Sequence, residues 1–164
     1  MITELLHLMN YQAVIKDIPE YIVYCKSGVI AEWESMNEFI QSAAKECLAA
    51  NPGMECDDSG YNFVIYPEGF KERDIPLVYN EAVKTLGKET DSIKFRKVES
   101  TKAVCILHKG SYGKLKCAYD FAFQYLEENG YKPSEAPREY YIDGCWNKES
   151  EDEYLTEIQI PVKL

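Results

Sequence analysis

The feature that most limits what this chain can fold into is an internal echo. Tyr21-Ile22-Val23-Tyr24-Cys25 is a compact aromatic and β-branched run, a strand signature, and it ends in Lys26-Ser27-Gly28. Trp33, Met36, Ile40, Ala43, Ala44, Cys47 and Leu48 then recur at spacings of three and four, the period of an amphipathic helix. Pro52-Gly53 stops that pattern. The second half repeats the plan. Ala103-Val104-Cys105-Ile106-Leu107 reads as a strand ending in His108-Lys109-Gly110. Leu115, Ala118, Tyr119, Ala122, Tyr125 and Leu126 form a helical stripe, and Asn129-Gly130 is a suitable left-handed terminator.

Two more strand candidates follow each helix. They are 61–66 and 77–86 in the first half, and 138–142 and 154–162 in the second. Residues 81–86 also have good helix propensity, and the repetition decides for strand. Residues 93–98 form a further short strand or an extended connection. The expected fold is α+β: tandem pseudo-twofold β-α-β-β repeats, antiparallel sheets with helices on one side, and a ligand groove between the halves. With 164 residues and no Ser/Gly/Pro-rich linker, the chain reads as a single domain. Repeat one spans about 11–86 and repeat two about 98–164; 20–86 and 103–162 should superpose.

Composition narrows the function. Lys and Arg number 18 against 28 Asp and Glu, a net charge of −10. That field repels DNA and anionic membranes and concentrates cations. Met1-Ile2-Thr3-Glu4-Leu5-Leu6-His7 lacks the basic start and apolar run of a signal peptide, and no stretch is long enough to span a bilayer. The six cysteines have no CxxC spacing and only His7 and His108 are available as imidazole ligands, so no metal and no cofactor is expected. The cysteines read as cytoplasmic thiols. The acidic run 149–153 reads as a solvated loop. Nucleotide-binding glycine loops and a G-x-S-x-G nucleophile elbow are absent from the sequence.

Side-chain alternation then picks out two carboxylates. Ile158, Ile160 and Val162 share one face of the last strand, expected under the helices, and Glu157 and Gln159 share the other. In 138–142, Tyr140 and Ile142 share a face and Glu139 and Tyr141 share the opposite one. Both glutamates are thus expected on the face away from the core. One reading leaves that face solvated. The other makes it a ligand wall, because thirteen tyrosines, six phenylalanines and two tryptophans suit an organic cation held by ring quadrupoles and a carboxylate. Phe39, Phe121 and Tyr125 read as helix core residues. His108, at a strand end, reads as a hydrogen-bonded imidazole.

His108-Lys109-Gly110-Ser111-Tyr112, Leu126-Glu127-Glu128-Asn129-Gly130-Tyr131, Ala136-Pro137-Arg138-Glu139-Tyr140-Tyr141 and Leu155-Thr156-Glu157-Ile158-Gln159-Ile160-Pro161-Val162 resemble the GyrI-like effector-binding domains. Those are the ligand-binding domains of AraC- and MerR-type transcription regulators, found also as stand-alone proteins. The resemblance is specific over 103–162 and architectural over 11–86, where Leu77-Val78-Tyr79-Asn80-Glu81-Ala82-Val83 departs from a glycine-containing family strand. It implies a paired-repeat fold whose groove binds hydrophobic, cationic or multi-aromatic small molecules. It implies Glu139 as the groove acid, Glu157 as a second acid, and Tyr112, Tyr141, Trp33 and Trp146 as walls. The function it implies is sensing, regulation or drug sequestration. Two alternatives stand beside it: hydrolysis of electrophilic cyclopropane-type genotoxins in the same groove, and gyrase inhibition by an acidic protein. The ten residues before Tyr11 cannot hold a helix-turn-helix, so no direct nucleic-acid binding is expected. A homodimer is compatible with the sequence, which locates no interface for it.

Overall fold

The computed structural model describes residues 11–163. The opening 1–7 segment, with His7, lies outside them. Nine strands and two α-helices are found among the described residues: β1 (Ala13–Ile18), β2 (Tyr21–Ile30), α1 (Met36–Ala50), β3 (Phe63–Ile65), β4 (Ile75–Val83), β5 (Ile93–Val98), β6 (Thr101–Lys109), α2 (Leu115–Asn129), β7 (Lys132–Pro133), β8 (Arg138–Asp143) and β9 (Leu155–Lys163). The pairings of β1 with β6, β2 with β4 and β5, β3 with β4, and β9 with β6, β7 and β8 are all antiparallel. The α+β class read from the sequence is the one observed, and 81–83 is strand rather than helix.

The chain divides into two compact units. The central unit is Pro19–Ser100, with strands in the order β3-β4-β2-β5. The terminal unit joins the described residues up to Ile18 to those from Thr101 onward, in the order β1-β6-β9-β8, with β7 also paired to β9. Sequence reading did not register β1. It falls in the span given to the first repeat, yet it pairs with β6, Ala13 opposite Ile106 through Ile18 opposite Thr101. The short strand β3 occupies only the middle of the expected 61–66 run.

The echo survives in detail. Trp33 opens a 3-10 turn, Trp33–Ser35, that leads into α1, and Tyr112 opens the matching turn, Tyr112–Lys114, into α2. Gly130 terminates α2 with φ 71°, and Tyr131 N–H donates to Leu126 O at 3.0 Å, closing the last turn as the sequence anticipates. The acidic run at 149–153 contains one further 3-10 turn, Glu151–Glu153, with Ser150 Oγ accepting from Asp152 N–H.

In the terminal unit, Leu115, Ala118, Ala122 and Leu126 lay one stripe of α2 on Val104 and Ile106 of β6 and Ile158, Ile160 and Val162 of β9. The two alanines let the helix axis approach the sheet closely. Phe121 and Tyr125 pack at the margin of this cluster, as the helical stripe requires. In the central unit, Ala43 and Cys47 are the buried residues of α1. A Cβ on Gly28 would meet the Phe39 ring at 2.5 Å, so that ring rests against bare β2 backbone.

Ile158 is fully buried at the centre of the terminal core. Ile158→Ala is expected to destabilise the fold by about 2–5 kcal/mol through lost transfer energy and an unfilled cavity. Urea unfolding should show a lower midpoint with an unchanged slope.

Candidate functional site

Antiparallel partners project to the same face of a sheet. Glu139 of β8 stands opposite Ile158, and Tyr141 opposite Thr156. Glu139 and Tyr141 therefore lie on the helix-covered face, with Ile158 and Ile160. This corrects the expectation that Glu139 points away from the core. Alternation within 138–142 cannot choose a face, because adjacent tyrosines, Tyr140 and Tyr141, give both parities a bulky ring.

Glu139 is 6% exposed. Tyr141 Oη–H donates to its Oε2 at 3.1 Å, and the Tyr119 hydroxyl of α2 also favours its ionised form. Burial dominates these two contacts and raises the Glu139 carboxyl to about 7. Among the described residues it forms no ion pair with a Lys or Arg. The Tyr112 ring meets that of Tyr141 edge-on at 5.6 Å and that of Tyr154 at 5.3 Å. Its phenol is pushed up to about 12, by burial first and then by Cys145, Tyr154 and Glu139. Gly110 positions this ring. Its φ of 131° is open to glycine, and its N–H donates to Tyr154 O at 2.8 Å, turning the chain sharply from β6 into the Tyr112 turn.

His108 is the buried strand-end imidazole expected from the sequence. Its Nε2–H donates to Ser111 O at 2.9 Å and its Nδ1 accepts from Tyr11 Oη–H at 2.8 Å.

Glu157 occupies the other face, opposite Leu107 and Tyr140. The structure thus separates the two acids that the sequence brings together. On that face Glu157 is 3% exposed, and Gln159 and Arg138 are buried, while Leu107 is exposed. Lys16 Nζ pairs with Glu157 Oε2 at 2.7 Å, and Gln159 Nε2–H donates to Oε1 at 2.5 Å. Burial, then the Glu157 charge, pushes the Cys105 thiol up to about 12.

Of the two expected tryptophan walls, Trp146 is 60% exposed on the turn after β8. Trp33 belongs to the central unit, where it stacks on Phe70 at 5.3 Å, meets Tyr66 at 5.5 Å, and donates Nε1–H to Lys71 O at 3.0 Å. Sequence reading missed a second acid–phenol pair in that unit. Tyr24 Oη–H donates to Glu81, with Tyr79 and Phe95 edge-on to the Tyr24 ring. Burial and Glu81 raise both phenols. The signal was present as Tyr79 and Glu81 at i and i+2, one face of β4, but no family match drew attention to it.

Among the described residues no cluster of His, Cys, Asp or Glu is arranged to hold a metal, and no helix is long and apolar enough to cross a membrane.

This helix-covered antiparallel architecture is that of a small-molecule binding domain. The chain belongs to the GyrI-like small molecule binding domain family, whose model matches residues 12–163. It is 40% identical to the C-terminal domain of EcmrR in a crystal structure, over 94% of this chain and 99% of that one, with a TM-score of 0.84. It is 36% identical to EcmrR in a cryo-EM structure of the EcmrR-DNA complex in EcmrR-RPo, at the same TM-score, covering 99% of this chain and 66% of that one. It therefore spans about two thirds of the EcmrR chain in that complex. A hydrolase encoded by lin2189 from Listeria innocua shares the fold at 14% identity and a TM-score of 0.66, over 93% of this chain and 92% of that one. The comparison with curated proteins gives no match.

The raised Glu139 carboxyl has a consequence for stability. An unfolded glutamate ionises near 4.5 and the folded one near 7, so the folded state holds its proton longer. The stabilisation from the neutral carboxyl is complete below the unfolded value and is lost as pH rises through about 7. Its full size is about 3 kcal/mol. Glu139→Gln should flatten the fall in stability between those two values and raise the urea midpoint on the alkaline side. Urea titrations across that range compare the two proteins directly.

Proposed function

We propose that the domain binds hydrophobic, cationic or multi-aromatic small molecules, with Glu139 as counter-charge and Tyr112 and Tyr141 as walls, in a sensing, regulatory or sequestering role. One observation carries this reading: Glu139 is a buried carboxyl whose partners are phenols, whereas Glu157 already has its lysine. A carboxylate with phenolic partners, set among ring faces, suits an organic cation in both charge and surface. Glu157, Trp33 and Trp146 are left outside this site because each is engaged or placed elsewhere.

Protonation gates the interaction. Below about 7 the neutral carboxyl offers a cation only a dipole; above it, full charge. The groups facing the carboxyl are the phenols of Tyr119, Tyr141 and Tyr112, the last of them pushed up to about 12. Affinity for rhodamine 6G should therefore rise about tenfold per pH unit up to about 7 and then level. Glu139→Gln should remove that dependence and weaken binding on the alkaline plateau by about 1–3 kcal/mol. Calorimetry of both proteins across pH settles it; equal affinities would sink the assignment.

A carboxyl poised near 7 also fits a general base, which supports hydrolysis of electrophilic cyclopropane-type compounds as a second reading. Product formation that disappears in Glu139→Gln would select it over binding alone. Direct DNA binding is not part of either reading, although EcmrR is seen in complex with DNA. At net charge −10 this chain should give no micromolar or tighter gel shift with duplex DNA at physiological salt. A shift that weakens steeply with added salt would refute that.

A further inference from the structure

Thr156 is fully buried and its Oγ1 has no hydrogen-bond partner among the described residues. It lies on the helix-covered face of β9, opposite Tyr141 on one side and His108 on the other. Both neighbours have their polar atoms committed elsewhere. Tyr141 gives its hydroxyl proton to Glu139, and His108 uses both ring nitrogens on Tyr11 and Ser111. Buried hydroxyls in native proteins nearly always have a partner, so an orphan calls for an occupant that the protein alone does not supply.

Its position says what that occupant touches. Glu139 is opposite Ile158, and Thr156 is two residues along the same face, which makes the carboxyl and the hydroxyl diagonal neighbours, roughly 7–8 Å apart at the backbone. The Tyr112 ring lies against Tyr141, the cross-strand partner of Thr156, and against Tyr154, two residues before it. Tyr112 is itself 37% exposed, on a turn outside the sheet, and so stands between this corner and solvent.

We propose that Thr156 is a specificity-determining residue of the Glu139 site. Its hydroxyl accepts an N–H of the bound cation, and the site selects aromatic nitrogen cations with free N–H groups, such as aminoacridinium and aryl amidinium ions, over peralkylated ammonium or phosphonium cations. The proposal rests on Glu139 serving as the cation's counter-charge and adds a second polar contact to it. A carboxylate alone attracts any cation; a hydroxyl that must be satisfied discriminates by hydrogen bonding.

Proflavine and acridine orange test this directly. Both are monocationic acridines of one ring plan, and only proflavine carries exocyclic N–H groups. Fluorescence titration at about pH 8, where Glu139 is ionised, should show wild type favouring proflavine about tenfold, the scale of a hydrogen bond to a charged group. Thr156→Val should bring the ratio of the two dissociation constants near one, and Thr156→Ser should restore it. Thr156→Ala carries the same comparison if the valine variant does not fold. An unchanged ratio in Thr156→Val or Thr156→Ala overturns the proposal. If Glu139→Gln still weakens both dyes in that case, the counter-charge reading survives alone. Failure of both dyes, or of proflavine alone, to bind wild type overturns both.

Discussion

Ile158 stands opposite Ile106 on one side and Glu139 on the other, and the rest of the terminal unit depends on that register. Side chains alternate with a period of two, so a slip of one residue between β8 and β9 would turn Glu139 out from under α2 and bring Tyr140 in. The register is held from the other side by the apolar match of β6 to β9. Val104 and Ile106 face Ile160 and Ile158, and α2 closes over them with two alanines and two leucines. A core made only of hydrocarbon thus fixes where a carboxyl group must go, and places it where water cannot hydrate its charge.

The helices, the strands flanking them and the repetition were legible because each rests on a local pattern: apolar spacing of three and four, β-branched runs, and Pro-Gly or Asn-Gly stops. The face of Glu139 was not legible. Its six-residue strand, Arg-Glu-Tyr-Tyr-Ile-Asp, has no clean alternation, and only the cross-strand partner reveals which side is covered. The buried Glu157–Lys16 pair was hidden for a related reason. Lys16 lies on β1, far away in sequence, and an ion pair between distant strands leaves no local signature. Thr156 was quoted within a motif but drew no attention, since an orphan hydroxyl is defined by what its neighbours do.

The two units use the same chemistry with different outcomes. Each carries a glutamate that accepts a tyrosine hydroxyl on the face its helix covers: Glu139 with Tyr141 in one, Glu81 with Tyr24 in the other. In the terminal unit burial raises both the Glu139 carboxyl and the Tyr112 phenol. In the central unit the displacement is carried by the phenols, Tyr24 and Tyr79, and by Cys47, whose thiol is raised to about 11 by burial and Glu81. Where an acid and its hydroxyl donors are buried together, the more deeply desolvated partner pays in proton affinity.

The chain has two tryptophans, and they fall one to each unit, Trp33 in the central and Trp146 in the terminal. Their surroundings are opposite: one indole is stacked on Phe70 with its N–H bound to a carbonyl, the other is open to solvent. The molecule therefore carries two intrinsic optical reporters of unlike colour and quencher access. Single Trp→Phe replacements separate them, so that the melting of each unit can be watched on its own, without an attached label.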